Sequence, residues 1–363
     1  MSNEHSSPSH DVLREKPPAE AIRRYFRSLR GELQDATIKT HRYALAFFSQ
    51  WCDQNEIEFV CELDGFDLED YHQWRRLDAT EKVDSLSRQT DKSQMDILRS
   101  FIGFCESNHM VREGLSDKVP SPDTNNKNSR VQALDEERAE EILDWLETYE
   151  YASVEHVCWA LLWSTGMRLG AARSIDLRDY HPEEDVPRVE LRHRPDTDTP
   201  LKQQNDSERS IFLTDDLCAV IDDYLENRRP DVTDDHGREP LLASTHGRIA
   251  ASTIRKYVYK WSRPCQIGKE CPHGEDMADC DSLPADKASQ CPSSVPPHAL
   301  RRGYITDELK QEVPKDVLAD RCDLSKPVLV KHYDKRSEDE KMKVRRQRIR
   351  QARREGESTA EST

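Results

Sequence analysis

Apolar positions recur every three or four residues along most of this chain, and only two short stretches alternate. Four helical segments come first, at 19–33, 36–55, 68–77 and 86–108. In the second, Ile38, Leu45, Phe48 and Trp51 share a face, with Asp35 where a cap belongs. Four short amphipathic helices make a small bundle. A fifth helix opens near Leu134, its first turn acidic as the helix dipole favours. An apolar helix follows over 157–163, and further helices are expected at 215–228 and 252–262. The alternating runs, 188–194 and 209–213, are joined by polar, turn-rich sequence and read as a hairpin with a long loop. From His298, about thirty residues of helix-like sequence lead to L-V-K-H-Y-D. The fold class is therefore mainly α with a small β-sheet.

The interruptions set the organisation. Residues 1–16 are polar and expected to be disordered. Residues 113–132, with two prolines and no apolar period, read as a linker between a helical domain at 17–112 and a second domain at 133–340. The tail, 341–363, is basic up to Arg354. As a helix it would align Met342, Arg345, Ile349 and Ala352, and docking on another chain, binding phosphate and lying in solvent all remain open uses. Within the second domain, 263–293 is polar, proline-containing and nearly devoid of core residues. It holds Cys265, Cys271, His273, Cys280 and Cys291. Four of these five are expected to bind a structural Zn2+ that orders the loop, although the spacing lacks a Cys-x2-Cys knuckle; free thiols in a mobile loop, or a redox switch, are the alternatives.

The candidate chemistry lies in the second domain. Arg168 follows a Thr-Gly break at the end of the apolar helix, where a side chain can be aimed into a cleft. Lys202 opens the hairpin loop and is the only lysine between Lys127 and Lys256; unlike arginine, it can give up a proton. His298 and Arg301 lie one helical turn apart, and Tyr333 stands among basic residues. Arginine clamps phosphate oxygens, histidine carries protons near neutral pH and tyrosine offers an oxygen nucleophile. Together they suggest phosphoryl transfer through a covalent phosphotyrosine.

The order T-G-M-R, hairpin lysine, H-A-L-R and tyrosine resembles the catalytic domain of the tyrosine recombinases, or phage-type integrases, over roughly residues 130–345. The resemblance implies a four-helix, SAM-like core-binding domain followed by an α+β catalytic domain. It implies a site-specific recombinase that cleaves and rejoins DNA through a 3′-phosphotyrosine on Tyr333. In that scheme Arg168 and Arg301 stabilise phosphate charge, Lys202 protonates the leaving 5′-hydroxyl and His298 assists. No cofactor is needed for catalysis. The partners implied are double-stranded DNA and further copies of the chain, as a dimer or tetramer. Lys39, Arg42, Arg88 and Lys92 are candidates to reach phosphates from the N-terminal domain. Two departures stand out: Ala171 replaces an acid three positions after Arg168, and Arg321 falls where the family has a histidine, so it is assigned that third phosphate contact. A type IB topoisomerase and a noncatalytic DNA-binding protein of the same fold are the alternatives.

Charge refines the picture. The net charge is −16, unusual for a DNA binder. It is uneven, with 17 Lys and Arg against 10 Asp and Glu over 298–354. Abundant acid, more Arg than Lys and low hydrophobicity resemble proteins of salt-in halophiles, so the resemblance narrows to haloarchaeal members. No signal peptide or membrane-spanning apolar run is seen. Cys52, Cys105 and Cys158 sit in apolar helical patterns as buried thiols, which fits a reducing cytoplasm.

Overall fold

The computed structural model describes residues 13–31, 33, 35–79, 86–122 and 133–333, with 342, 345, 346, 349 and 350. The expected N-terminal disorder (up to residue 12), the latter part of the linker and most of the basic tail lie outside the described residues. The chain divides into two compact units, Met1–Ser129 and Arg130–Thr363.

The first unit is a bundle of α1 (Pro18–Ser28), α2 (Asp35–Gln54), α3 (Gly65–Leu77) and α4 (Arg88–Ser107). Its core holds Leu45, Phe48 and Trp51 from α2, Tyr71 from α3 and Phe101 from α4. The α3 helix starts because Asp64 accepts the amides of Phe66 and Asp67, and α4 because Ser87 accepts that of Thr90. Leu115 and Val119, in sequence read as the start of a linker, are buried in this core. Lys39 and Arg88 are exposed; Arg42 stacks on Phe26 and Lys92 pairs with Asp96.

The second unit is built around α6 (Val154–Thr165), which is buried nearly all round. It follows α5 (Glu136–Tyr149) and precedes the short α7 (Leu169–Ser174). A three-stranded antiparallel sheet comes next, β1 (Tyr180–His181), β2 (Arg188–Leu191) and β3 (Arg209–Phe212), in the order β1-β2-β3 with Val189 opposite Ile211. Then come α8 (Asp215–Asn227), a two-stranded hairpin of β4 (Ala243–Ser244) and β5 (Gly247–Arg248), and α9 (Ala251–Trp261). The predicted hairpin is thus present, while β1 is too short to leave a periodic signal. The helix-like stretch after His298 is three helices: α10 (Pro297–Lys310), α11 (Lys315–Arg321) and α12 (Lys326–His332).

Trp159, Leu161, Ile254, Val258 and Leu300 meet in the core of this unit, each burial contributing roughly 1.5–3 kcal/mol. Two glycines let α10 lie close against its neighbours. A Cβ on Gly303 would stand 2.2 Å from the Leu134 carbonyl oxygen, and one on Gly166 would stand 2.2 Å from Cδ1 of Tyr304. Among the described residues no helix is long and apolar enough to cross a membrane. Cys52, Cys105 and Cys158 are fully buried, and burial pushes the Cys52 and Cys105 thiols up to about 12.

Candidate active site

The end of α6 places the first arginine. Gly166 adopts φ +59° and caps the helix, its amide donating to Leu162 O at 3.2 Å. The chain then turns through buried Met167 and reaches Arg168 just ahead of α7. The same glycine carbonyl accepts Nη1 of Arg301 at 2.6 Å, so one turn fixes two arginines.

Arg301 lies one turn into α10, a helix opened by Pro296 and Pro297, whose fixed φ suits a helix start. It is only 2% exposed, and its Nη2 donates to the Cys322 carbonyl. Its Nε is buried without a partner among the described residues. Burial lowers its pKa; Cys322 and Tyr333 pull it up again, and Arg168 pushes it down. Arginine keeps its proton at any physiological pH, so this is a buried fixed charge.

The turn after α11 gathers the rest. Three successive carbonyls each accept one arginine: Arg321 O takes Nε of Arg209 at 2.9 Å, Cys322 O takes Arg301, and Asp323 O takes Nη2 of Arg168 at 2.8 Å. This is the carbonyl end of a helix, where partial negative charge collects. The Asp323 carboxylate also pairs with Nη1 of Arg168, and it accepts Gln203 Nε2 at 2.6 Å and Ser207 Oγ at 2.7 Å. Arg209 was read in the sequence only as the start of a strand. Burial lowers its pKa first; Asp323 and Cys322 oppose that, while Arg301 and Arg168 add to it, which puts it in the same electrostatic cluster. An arginine opening a strand looks like any solvated edge residue, so no local signal marked it.

Tyr333 ends α12, 6% exposed, in a cluster with Tyr304, Leu318, Cys322 and Leu329. The Arg302 guanidinium lies 6.0 Å from its ring centroid, and its side chain acts on Arg301 as a hydrogen-bonding neighbour. His298, in the first turn of α10, keeps part of its surface in solvent. Its pKa is lowered by partial burial first, then by Arg302, Arg301 and Arg168. Lys202 is exposed and makes no hydrogen bond or ion pair among the described residues, but its neighbour Gln203 is tied to Asp323. Arg168, Arg301, Tyr333 and His298 therefore come together, with Lys202 on a loop fastened to the same turn. Arg321 has other partners. Its Nε donates to Tyr304 Oη at 2.8 Å and its Nη2 to Ser164 O at 3.2 Å, and its guanidinium stacks 3.9 Å above the Phe212 ring. The acid missing at Ala171, itself buried, has a counterpart in Asp323, which reaches Arg168 from another element.

The phage integrase family matches residues 132–340, more than half of the chain and all of the elements just described around the arginines. The chain belongs to the phage integrase family. Among solved structures, the Tn1549 transposon integrase in complex with transposon right-end DNA is 14% identical, with 91% of this chain and 99% of that one covered and a TM-score of 0.64. A lambda integrase dimer bound to a COC′ core site is 12% identical over 88% and 96%, with a TM-score of 0.59. The XerH recombinase bound to palindromic difH substrate is 12% identical over 85% and 78%, with a TM-score of 0.56. At such identities the likeness is one of fold. No curated protein matches the chain.

The cysteine-rich segment of this integrase-family chain does not take the form its composition implied. Among the described residues no group of three or more His, Cys, Asp or Glu side chains is placed to hold a metal ion. Cys265, Cys271, Cys280 and Cys291 are half-buried free thiols, and His273 Nε2 lies 2.8 Å from Ser293 Oγ. The geometry does not fit the expected zinc centre. Arginines order the segment instead: Arg138 donates to Ser293 O at 2.6 Å, and buried Arg263 donates to Leu283 O at 3.1 Å. Capping of this kind satisfies loop carbonyls that would otherwise be buried unpaired.

Proposed function

We propose that this chain is a site-specific DNA recombinase that cuts and rejoins DNA through a 3′-phosphotyrosine on Tyr333. The observation that carries this reading is the Tyr333 side chain beside Arg301, in the cluster that Arg168 and Arg209 share. The tyrosine oxygen attacks phosphorus as the bond from phosphorus to the 5′ oxygen breaks. The hydroxyl proton passes to His298. Burial and the neighbouring arginines hold its pKa down, which favours the neutral imidazole that can accept a proton. Lys202 gives a proton to the departing 5′ oxygen once the loop closes on DNA. Arg168 and Arg301 neutralise the nonbridging oxygens, most strongly as charge grows in the transition state. A 5′-hydroxyl from a second duplex then displaces the tyrosine, so the phosphodiester energy is kept. Arg321 supports this scheme by holding Tyr304, which packs in the cluster around Tyr333.

Strand exchange between two duplexes needs more than one active site, hence a dimer or tetramer on double-stranded DNA. The solved relatives of this fold include DNA-bound complexes, which supports DNA as the partner. The net charge of −16 supports a haloarchaeal-type protein working in the concentrated salt of a cytoplasm, where self-repulsion is screened. Binding that persists there must lean on base contacts and shape more than on counterion release. The test is to mix purified protein with fragmented genomic DNA in multimolar KCl, denature it and sequence the covalently attached DNA. A discrete site, joined through Tyr333 and absent with Tyr333→Phe, is the expected result. Adducts that survive Tyr333→Phe would overturn the reading.

A further inference from the structure

We propose that Asp323 is a positioning residue, which sets Arg168 and the Lys202 loop from the turn between α11 and α12. The inference rests on the recombinase reading above and concerns a residue that this reading does not use. The turn holds Arg168 at two points, the carboxylate and the carbonyl of one residue. The same carboxylate takes Gln203, the residue next to Lys202, and Ser207 further along the same loop. The donor of charge to the phosphate and the donor of the proton are thus registered to each other through one side chain.

Exposure decides between this role and a competing one. A carboxylate among arginines can occupy the ground a phosphate needs, and would then act as a plug. The Asp323 side chain is 9% exposed, whereas that of Arg168 is 31% exposed. Asp323 takes one donor from each Nη of Arg168, so the guanidinium, with five donors, keeps others to offer, and about a third of the side chain's surface is open to a phosphate while the carboxylate is nearly covered. The backbone agrees. Asp323 adopts φ +52°, an αL conformation that aspartate tolerates better than most residues, and the turn thereby closes α11 and aims both its carbonyl and its carboxylate at Arg168. The charge agrees too. Arg168, Arg209 and Arg301 are mutually repulsive, and Asp323 is the carboxylate that acts on Arg209 against that repulsion.

The test uses the full chain and a duplex carrying the site mapped with wild-type protein, nicked so that cleavage cannot reverse. Asp323→Ala should slow covalent attachment at saturating DNA about a hundredfold, as for loss of one aligned donor, with DNA affinity changed less than about threefold. Asp323→Asn keeps an oxygen for Arg168 and Ser207, and its amide can face a flipped Gln203; it should recover to within about tenfold of wild type. A second duplex has sulfur in place of the bridging 5′ oxygen. Its thiolate leaves without a proton, so the Asp323→Ala defect should shrink on it, as should that of Lys202→Ala. Attachment by Asp323→Ala at the wild-type rate or faster would make the carboxylate a bystander or a plug. Equal loss in the Ala and Asn variants with a lowered melting temperature would make it structural. Recovery of Lys202→Ala alone on the sulfur duplex would remove the link to the loop. Any of these overturns the inference while wild-type attachment leaves the recombinase reading standing; failure of wild-type protein to attach at all would sink that reading instead.

Discussion

Two groups of arginines in the second unit are built on opposite principles. Between α7 and the β4–β5 hairpin, Arg194, Arg238 and Arg248 meet three carboxylates, Asp176, Asp179 and Asp234. Arg194 grips Asp179 with two bonds of 2.7 and 2.6 Å, Arg248 reaches Asp234 at 2.9 Å and also pairs with Asp176, and Arg238 lies 3.2 Å from Asp234. Around the α11 turn, Arg168, Arg209 and Arg301 meet one carboxylate and three backbone carbonyls. The first group is nearly balanced, with Arg178 also reaching Asp176 from the surface, and it ties segments distant in sequence together. The second is short of anions. A protein tolerates such a deficit only where something else supplies the charge, and a phosphodiester supplies it in a form that grows more negative as the reaction proceeds.

The sharpest way to break this contrast is to remove one member from each group. Arg301→Gln should lower covalent attachment about a thousandfold, while unfolding free energy falls by only about 1–2 kcal/mol for lost bonds to two carbonyls. Asp176→Ala should do the reverse. It strands buried arginines and should cost about 3–5 kcal/mol in denaturant unfolding, with cleavage by the folded fraction close to wild type. Equal loss of activity in the two would erase the distinction. Gly166→Ala sits between them. The αL strain and the collision with Tyr304 should cost about 2–4 kcal/mol. Because the same residue's carbonyl holds Arg301, activity should fall further than stability explains.

These differences also mark what was readable in the chain. The helices were, because Leu45, Phe48 and Trp51 repeat with the helical period and Val157 to Leu162 form an unbroken apolar run. Arg168 and Arg301 were, because each sits in a short local pattern. Arg209 and Asp323 were not. Their roles arise from a turn that brings residues more than a hundred positions apart into contact, and nothing near them in sequence is unusual. The cysteines are a separate case. Residue types suited to a metal are present, but among the described residues no three of them are grouped to hold one, and arginine–carbonyl bonds tie the segment's backbone.

Smaller effects sharpen the comparison further. Burial pushes the Asp234 carboxyl up, but the Arg238 amide, the Arg248 guanidinium and the His236 amide outweigh it and leave the group at about 2. For Asp179 burial likewise acts upward and is outweighed, chiefly by Arg194. A carboxylate with a depressed folded pKa stabilises the fold above its unfolded value of about 3.9, and that contribution is lost as pH falls through the folded pKa. This group should therefore show as a loss of stability between about pH 4 and 2 in acid titration, reduced in Asp234→Asn and persisting in part through Asp179. Arg321→Ala should have the smallest effect on chemistry, within about fivefold, because its guanidinium is committed to Tyr304, Phe212 and Ser164. A hundredfold loss there would move Arg321 into the reacting group.

The claim that matters most is that the anion-short cluster exists to neutralise the scissile phosphate. It is tested most directly by changing the charge on the DNA. A duplex with a methylphosphonate at the mapped position carries no negative charge there, so it needs less neutralisation. Arg301→Ala should be nearly inert on ordinary DNA and regain attachment on the methylphosphonate, still through Tyr333. Equal inactivity on both duplexes, with the variant folded and bound to DNA, would contradict the account and leave Arg301 as a packing residue.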